Sequence, residues 1–289
     1  MSDPLHLPYV PPWDWQQFHR HFALRLLPGV EVLEPHRYSR TVQLGQSRGW
    51  FSVRHVPNSA ALELQLSDNL IDQTPALIPR IRKMFDLDAD PAALLAHFAH
   101  DPLLGPLVAA NPGLRLPAAF DPFEQSVRAI VGQQVSVKAA VTITRRLVER
   151  LGDPLQQGRE GLSRLFPTAA AIAAGSLENI GMPGKRVEAL RRFAVAVAEG
   201  ALRLHVEEGA DELVKRLCEL PGVGPWTAEY IALRGFGEPD AFPAADLGLL
   251  KAPLWETNVL SAKALRAKAE SWRPWRAYAA VHIWHNYEA

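Results

Sequence analysis

The stretch LPGVGPWTAEYIALRG, residues 220–235, decides the fold. Upstream, ADELVKRLCEL (210–220) aligns Leu213, Leu217 and Leu220 on one face of an amphipathic helix that ends at Leu220. Pro221-Gly222-Val223-Gly224 then turns the chain. Pro225 suits the first turn of a second helix, which is expected to run through Arg234 and stop at Gly235. The pattern is a helix-hairpin-helix at about 211–235. Gly222 and Gly224 allow positive φ and close backbone approach, so free N–H groups can point outward together at a helix N-terminus. Such a nest takes an anion, and a DNA phosphate fits it without net positive charge. A plain tight turn between two packed helices explains the same residues equally well.

The rest of the chain excludes several classes. Lysine plus arginine and aspartate plus glutamate both number 31, so bulk charge gives no case for nucleic acid. Any such case rests on local geometry. No apolar run approaches the length of a membrane span, and MSDPLHLPYVPPWDW lacks the basic start and apolar core of a signal peptide. Cys218 is the sole cysteine, which excludes an internal disulfide and a cysteine-ligated cluster and suits the cytoplasm. The eight tryptophans are expected mostly in the core.

Residues 1–90 read as mixed α/β. YSRTVQLG (38–45), WFSVRHV (50–56) and ALELQL (61–66) are strand-like, with GQSRG as a turn and a helix near 14–27. From 91 to 289 the pattern is helical. DPFEQSVRAIVGQ offers Asp121 as N-cap, Pro122 at the first helical position and Glu124 to complete a capping box. VSVKAAVTITRRLVERLG forms the next helix, ending at Gly152, and residues 175–200 are expected to hold a helix pair around Met182-Pro183-Gly184. The fold class is α+β, an antiparallel-sheet domain with flanking helices followed by an all-α domain.

GFGEPDAFPAADLGLLKA (235–252) is a Gly/Pro-rich loop that delivers Asp246 to a short helical pattern. An N-cap role alone accounts for that aspartate. Asp240, in the same loop, is the competing carboxylate and is expected to be solvent-exposed.

The hairpin, this loop, RLPAAFDPFEQSVRAIVGQQVSV (115–137), WRPWRAYAAVHIW (272–284) and the N-terminal PPWDW together resemble the helix-hairpin-helix DNA glycosylase superfamily. Within it the likeness is to the DNA-3-methyladenine glycosylase II branch, the AlkA type, and it covers nearly the whole chain. The resemblance implies a monofunctional enzyme acting on double-stranded DNA that contains alkylated bases, as a monomer and with no membrane role. Asp246 would be the catalytic carboxylate, stabilising an oxocarbenium-like sugar or orienting water. In sister enzymes similar to endonuclease III, a lysine at the position of Trp226 attacks the sugar. Trp226 cannot, and Lys215 and Lys251 do not match that motif. Trp226, Tyr230 and Trp284 match pocket positions where a cationic base can stack, with core packing as the alternative for each. Gln134, in Gly132-Gln133-Gln134-Val135-Ser136, matches the residue that fills the stack behind an extruded base, where some relatives carry leucine. His21 and His285 are further departures.

The resemblance requires no cofactor for the chemistry but implies a structural monovalent cation at the carbonyls of Cys218, Leu220 and Val223. His97 and His100 are expected on one helix face as a packed or surface pair, and Arg186, Arg191 and Arg192 as a solvated basic face. Two rival readings remain: a non-catalytic binder of bent or abasic DNA using the same hairpin, and a bifunctional glycosylase/lyase.

Overall fold

The computed structural model describes residues 4–255 and 260–288. Five antiparallel strands form the first layer: β1 (Leu5–Pro8), β2 (Glu31–Glu34), β3 (Arg37–Leu44), β4 (Ser47–His55) and β5 (Ala61–Leu66), in the order β1-β5-β4-β3-β2. The alternation in ALELQL sends Leu62, Leu64 and Leu66 into the core, as a half-buried strand requires. The turn before β4 is shorter than GQSRG. Leu44 pairs with Ser47, so Gly45-Gln46 alone closes the hairpin. Helix α1 (Trp15–Ala23) lies against this layer. Asp14 caps it by accepting from Gln16 N, and Phe18 and Phe22 pack on Tyr38 and Phe85.

Helices α2 (Thr74–Met84), α3 (Pro91–Phe98) and α4 (Leu104–Ala110) lead to α5 (Pro122–Val131) and α6 (Val137–Leu151). Asp121 caps α5, accepting from Phe123 N and Glu124 N. Glu124 does not complete a capping box. Its carboxylate turns inward to Arg40 of β3 (2.5 Å) and Arg128 of α5 (2.6 Å). Two guanidiniums outcompete one backbone N–H for a buried anion.

The second half is not wholly helical. PLQQGR and LSR form a hairpin, β6 (Pro154–Arg159) and β7 (Leu162–Arg164), set against the first sheet through Thr41 Oγ1 donating to Arg164 O at 2.7 Å. The expected helix pair at 175–200 is also different. Helix α7 (Ala169–Ala174) precedes it, α8 (Gly184–Ala198) fills its second half, and 175–183 is irregular. Arg150 and Arg191 donate to carbonyls of that irregular stretch, at Ser176, Glu178 and Gly175. Arg191 is therefore no solvated cation; Arg192 pairs with Glu188.

The hairpin region comprises α9 (Ala210–Cys218) and α10 (Pro225–Phe236), followed by α11 (Leu247–Leu250), α12 (Ala262–Ala269) and α13 (Arg276–Glu288). Helix α10 runs past Gly235 and ends at the left-handed Gly237. Most buried side chains from Ala89 onward join one core, most of those between Leu7 and Leu87 build the other large one with Phe120, and Leu27 and Val30 pack with Val148 in a small third cluster. His97 lies at the end of α3, its Nε2 3.2 Å from Trp272 O, and His100 falls beyond the helix. Among the described residues, no group of three or more histidine, cysteine, aspartate or glutamate side chains is placed to hold a metal ion, and no helix is long and apolar enough to cross a membrane.

Candidate active site

Asp246 N-caps α11 and does more. Its Oδ1 accepts from Gly248 N (3.0 Å), Leu249 N (3.3 Å) and the Trp284 indole N–H (3.0 Å). Its Oδ2 accepts from the Trp226 indole N–H (3.0 Å). Three donors crowd Oδ1 and one reaches Oδ2, so Oδ2 is the oxygen with capacity left to face a reacting centre. Gly248 eases the arrangement, because a Cβ there would stand 3.1 Å from Asp246 Oδ1 and 3.2 Å from the Trp284 ring, tight enough to push one of them aside.

The loop that delivers Asp246 is pinned from two sides. Buried Glu229 of α10 accepts from Phe242 N at 3.0 Å. Asp240 is not a free loop carboxylate; it is paired with Arg273 and with Arg276 Nε at 2.9 Å, which occupies both its oxygens. The competing carboxylate is thus engaged in structure.

A cleft of about 380 Å³ opens beside Asp246, a volume usual for small-molecule sites. Trp226, Tyr230, Trp284, Asp246, His21 and His285 all line it. Each aromatic has a covered face. Tyr230 stacks on Trp226 at 5.3 Å between centroids, and the Arg234 guanidinium lies 5.0 Å from the Trp284 ring centroid. Further lining comes from Gln17 of α1, from Leu24 and Arg25 just past its C-terminus, and from Gln125 and Arg128 of α5. Burial and the guanidiniums of Arg25, Arg234 and Arg128 hold the His21 imidazole well below the usual histidine range, so it stands neutral in the wall. Arg128 is itself neutralised by Glu31 (3.0 Å) and Glu124.

At the hairpin, Gly222 adopts φ +94°, and a Cβ there would come within 2.5 Å of the Ala189 Cβ, so only glycine fits. Gly222 and Gly224 are exposed, and a Cβ at Gly224 would meet nothing within 4 Å. The backbone at the start of α10 is open to an incoming group. Gln134 is exposed, with φ +56°, in the loop between α5 and α6, and its neighbours Gly132 and Val135 border the cleft. Arg186 donates to the carbonyl of Gln133 rather than to solvent.

Residues 4–121 match the AlkA N-terminal domain, and residues 127–276 match the HhH-GPD superfamily base excision DNA repair protein family. The chain is also 37% identical over 285 residues to DNA-3-methyladenine glycosylase 2 of Escherichia coli strain K12, covering 97% of this chain and 96% of that protein. The chain belongs to the HhH-GPD superfamily of base excision DNA repair proteins.

A second relative in the superfamily is a probable bifunctional transcriptional activator/DNA repair enzyme AlkA of Mycobacterium tuberculosis, 36% identical over 98% of this chain. This chain spans 57% of that relative's length. Among solved structures, the 3-methyladenine DNA glycosylase of Archaeoglobus fulgidus shares the fold, with a TM-score of 0.82, 22% identity and 99% coverage of both chains. So does an 8-oxoguanine glycosylase/lyase of Clostridium acetobutylicum in complex with DNA, with a TM-score of 0.74, 19% identity and coverage of 98% of this chain and 94% of that one.

Sequence reasoning missed Glu229, Gly248, Gln133 and the α1 wall beyond His21. The wall and the Gln133 contacts form between residues far apart in the chain, and Glu229 reads locally as one more polar helix position.

Proposed function

We propose that the protein is a monofunctional DNA glycosylase. It extrudes an alkylated base of the 3-methyladenine type from duplex DNA into the cleft and hydrolyses its N-glycosidic bond, leaving an abasic site for base excision repair. The observation that carries this is Asp246, held by two indole N–H groups at the wall of a cleft, with acceptor capacity left on Oδ2 beside its single bond from Trp226. As the glycosidic bond breaks, its electron pair leaves with the base and positive charge grows on the sugar. A fixed carboxylate oxygen stabilises that charge or orients the water that adds to C1′. A base already cationic from alkylation departs neutral and needs little acid help. It also gains cation–π energy of about 0.5–2 kcal/mol against an open indole face.

The base must leave the stack to reach Asp246. The exposed turn at Gly222–Gly224 seats a backbone phosphate on N–H groups at the start of α10. Gln134 fills the vacated space and hydrogen-bonds the orphaned partner base. One chain carries the whole set, which suits a monomer working in the cytoplasm. The Cys218, Leu220 and Val223 carbonyls at this turn are hard oxygen donors. Leu220 O already accepts from Val223 N at 3.0 Å and keeps one lone pair, so the set suits a monovalent cation that would brace the turn.

No lysine is among the described residues lining the cleft, which favours hydrolysis over Schiff-base chemistry. The reading is tested by incubating the protein with a methylated duplex. Free methylpurine should appear, with abasic sites cut only on later alkaline treatment and no borohydride-trapped protein–DNA adduct. Tight binding without base release would establish the non-catalytic binder instead, and a trapped adduct the lyase.

A further inference from the structure

Gln133, one residue before Gln134, is engaged on three sides. Its side-chain amide nitrogen donates to Gly222 O at 2.9 Å and to Thr227 Oγ1 at 3.0 Å. Its backbone carbonyl accepts from Arg186 of α8. Gly222 is the left-handed residue of the hairpin turn, and Thr227 is a buried residue in the first turn of α10. Both amide hydrogens are therefore spent on the two ends of the turn that exposes Gly224. Gln133 and these partners are 89 and 94 residues apart in the chain. Packing of α5 against α10 needs neither bond, because the apolar side chains of both helices already share one core.

We infer that Gln133 is a positioning residue that couples seating of a DNA phosphate on the 221–225 turn to insertion of Gln134 into the base stack. The inference rests on the glycosylase reading above and adds to it. A phosphate held at the start of α10 fixes the turn. The Gln133 amide then fixes the loop against the turn, so the outward, left-handed Gln134 meets the duplex at a set distance from the gripped phosphate. Without the amide the loop keeps its helix anchors and loses its registry with the grip.

The test compares two placements of one methylated purine. In one it is paired within a duplex. In the other it sits in a mismatched bubble, already unstacked, where no gap need be filled. Gln133→Ala is expected to lower the duplex-to-bubble ratio of single-turnover base release about tenfold, the scale of one or two lost hydrogen bonds. Gln133→Glu keeps the shape but offers no donor to Gly222 O, and should fall with it. Thr227→Val removes one partner and should give a smaller drop in the same ratio. An unchanged ratio in both Gln133 variants, or equal losses on both substrates, overturns the coupling. No base release from either substrate by the unaltered protein would refute the glycosylase reading itself, a result distinct from both.

Discussion

The indole N–H of Trp226 donates to Oδ2 of Asp246 at 3.0 Å, from the first turn of α10 to the residue that caps α11. Trp226 is thus more than a flat wall. Its ring borders the cleft while its N–H fixes Oδ2, the less crowded of the two carboxylate oxygens. The same indole is backed by Tyr230, so its position is set by stacking on one side and by a charged acceptor on the other.

Asp246→Asn should lower the rate of methylpurine release by at least about a hundredfold, the range found when one electrostatic stabiliser of a transition state is removed. Asparagine retains one acceptor oxygen for Gly248 N and Leu249 N, so the helix cap survives. Its NH2 would face the Trp226 N–H and lose that bond, for a stability loss of about 1–2 kcal/mol. Single-turnover release and thermal melting of the same preparation check both parts. Release at the unaltered rate would remove Asp246 from the chemistry.

Trp226→Phe separates stacking from anchoring. Phenylalanine keeps an aromatic face and discards the N–H. If Trp226 served only to stack, release would be nearly unchanged. The bond to Asp246 predicts a loss of roughly tenfold in the single-turnover rate, in keeping with about 1.5–3 kcal/mol for hydrogen bonds to charged groups, part of which is recovered by water. Affinity for an abasic duplex, which carries no base to stack, should change less than twofold, about 0.4 kcal/mol.

Local pattern carried much of this architecture. The strand alternation at 61–66, the Asp121 cap and the hairpin at Pro221–Gly224 are all settled within a few residues, where periodicity and turn chemistry act. The β6–β7 hairpin was invisible because PLQQGREGLSR has no clean apolar alternation; its strands are held by the sheet beside them. Glu124 obeyed the local capping rule in sequence and broke it in space, since Arg40 arrives from 84 residues away. The cleft divides the same way. Asp246 and Trp226 were legible as motif residues, but their mutual hydrogen bond, the α1 wall and the Gln133 bridge depend on tertiary contacts that no local window contains.

The buried charges of β2, β3 and α5 give a stability prediction. Glu124 meets Arg40 and Arg128, Glu31 meets Arg128, and Tyr38 donates to Glu31 at 2.6 Å. Glu124→Ala leaves Arg40 buried with its nearest remaining carboxylate at 4.0 Å. Removing one partner of a buried pair costs about 3–5 kcal/mol. Denaturant unfolding should report that loss. Pairing Glu124→Leu with Arg40→Met should recover much of it, because the pair is replaced by apolar volume. A loss below about 1 kcal/mol in the single variant would mean water reaches the network.

His282 sets a pH window. It is buried on α13, bonded to the Leu107 backbone, with Nδ1 buried and unpartnered among the described residues. Burial first, and the neighbouring His285 second, push its pKa down to about 4. The unfolded chain binds a proton on this ring near the ordinary histidine value of about 6.5, while the folded chain resists it. Between those limits the unfolded state holds more protons, so stability rises with pH. The contribution is fully present above about pH 6.5 and is lost as pH falls toward about 4, by at most about 3 kcal/mol. His282→Gln keeps a donor for the Leu107 carbonyl and removes the titration. Urea unfolding at a series of pH values should show the unaltered protein losing more stability than the variant between pH 7 and 4. Parallel curves for the two proteins would place a charge-tolerant environment around that ring and contradict its burial.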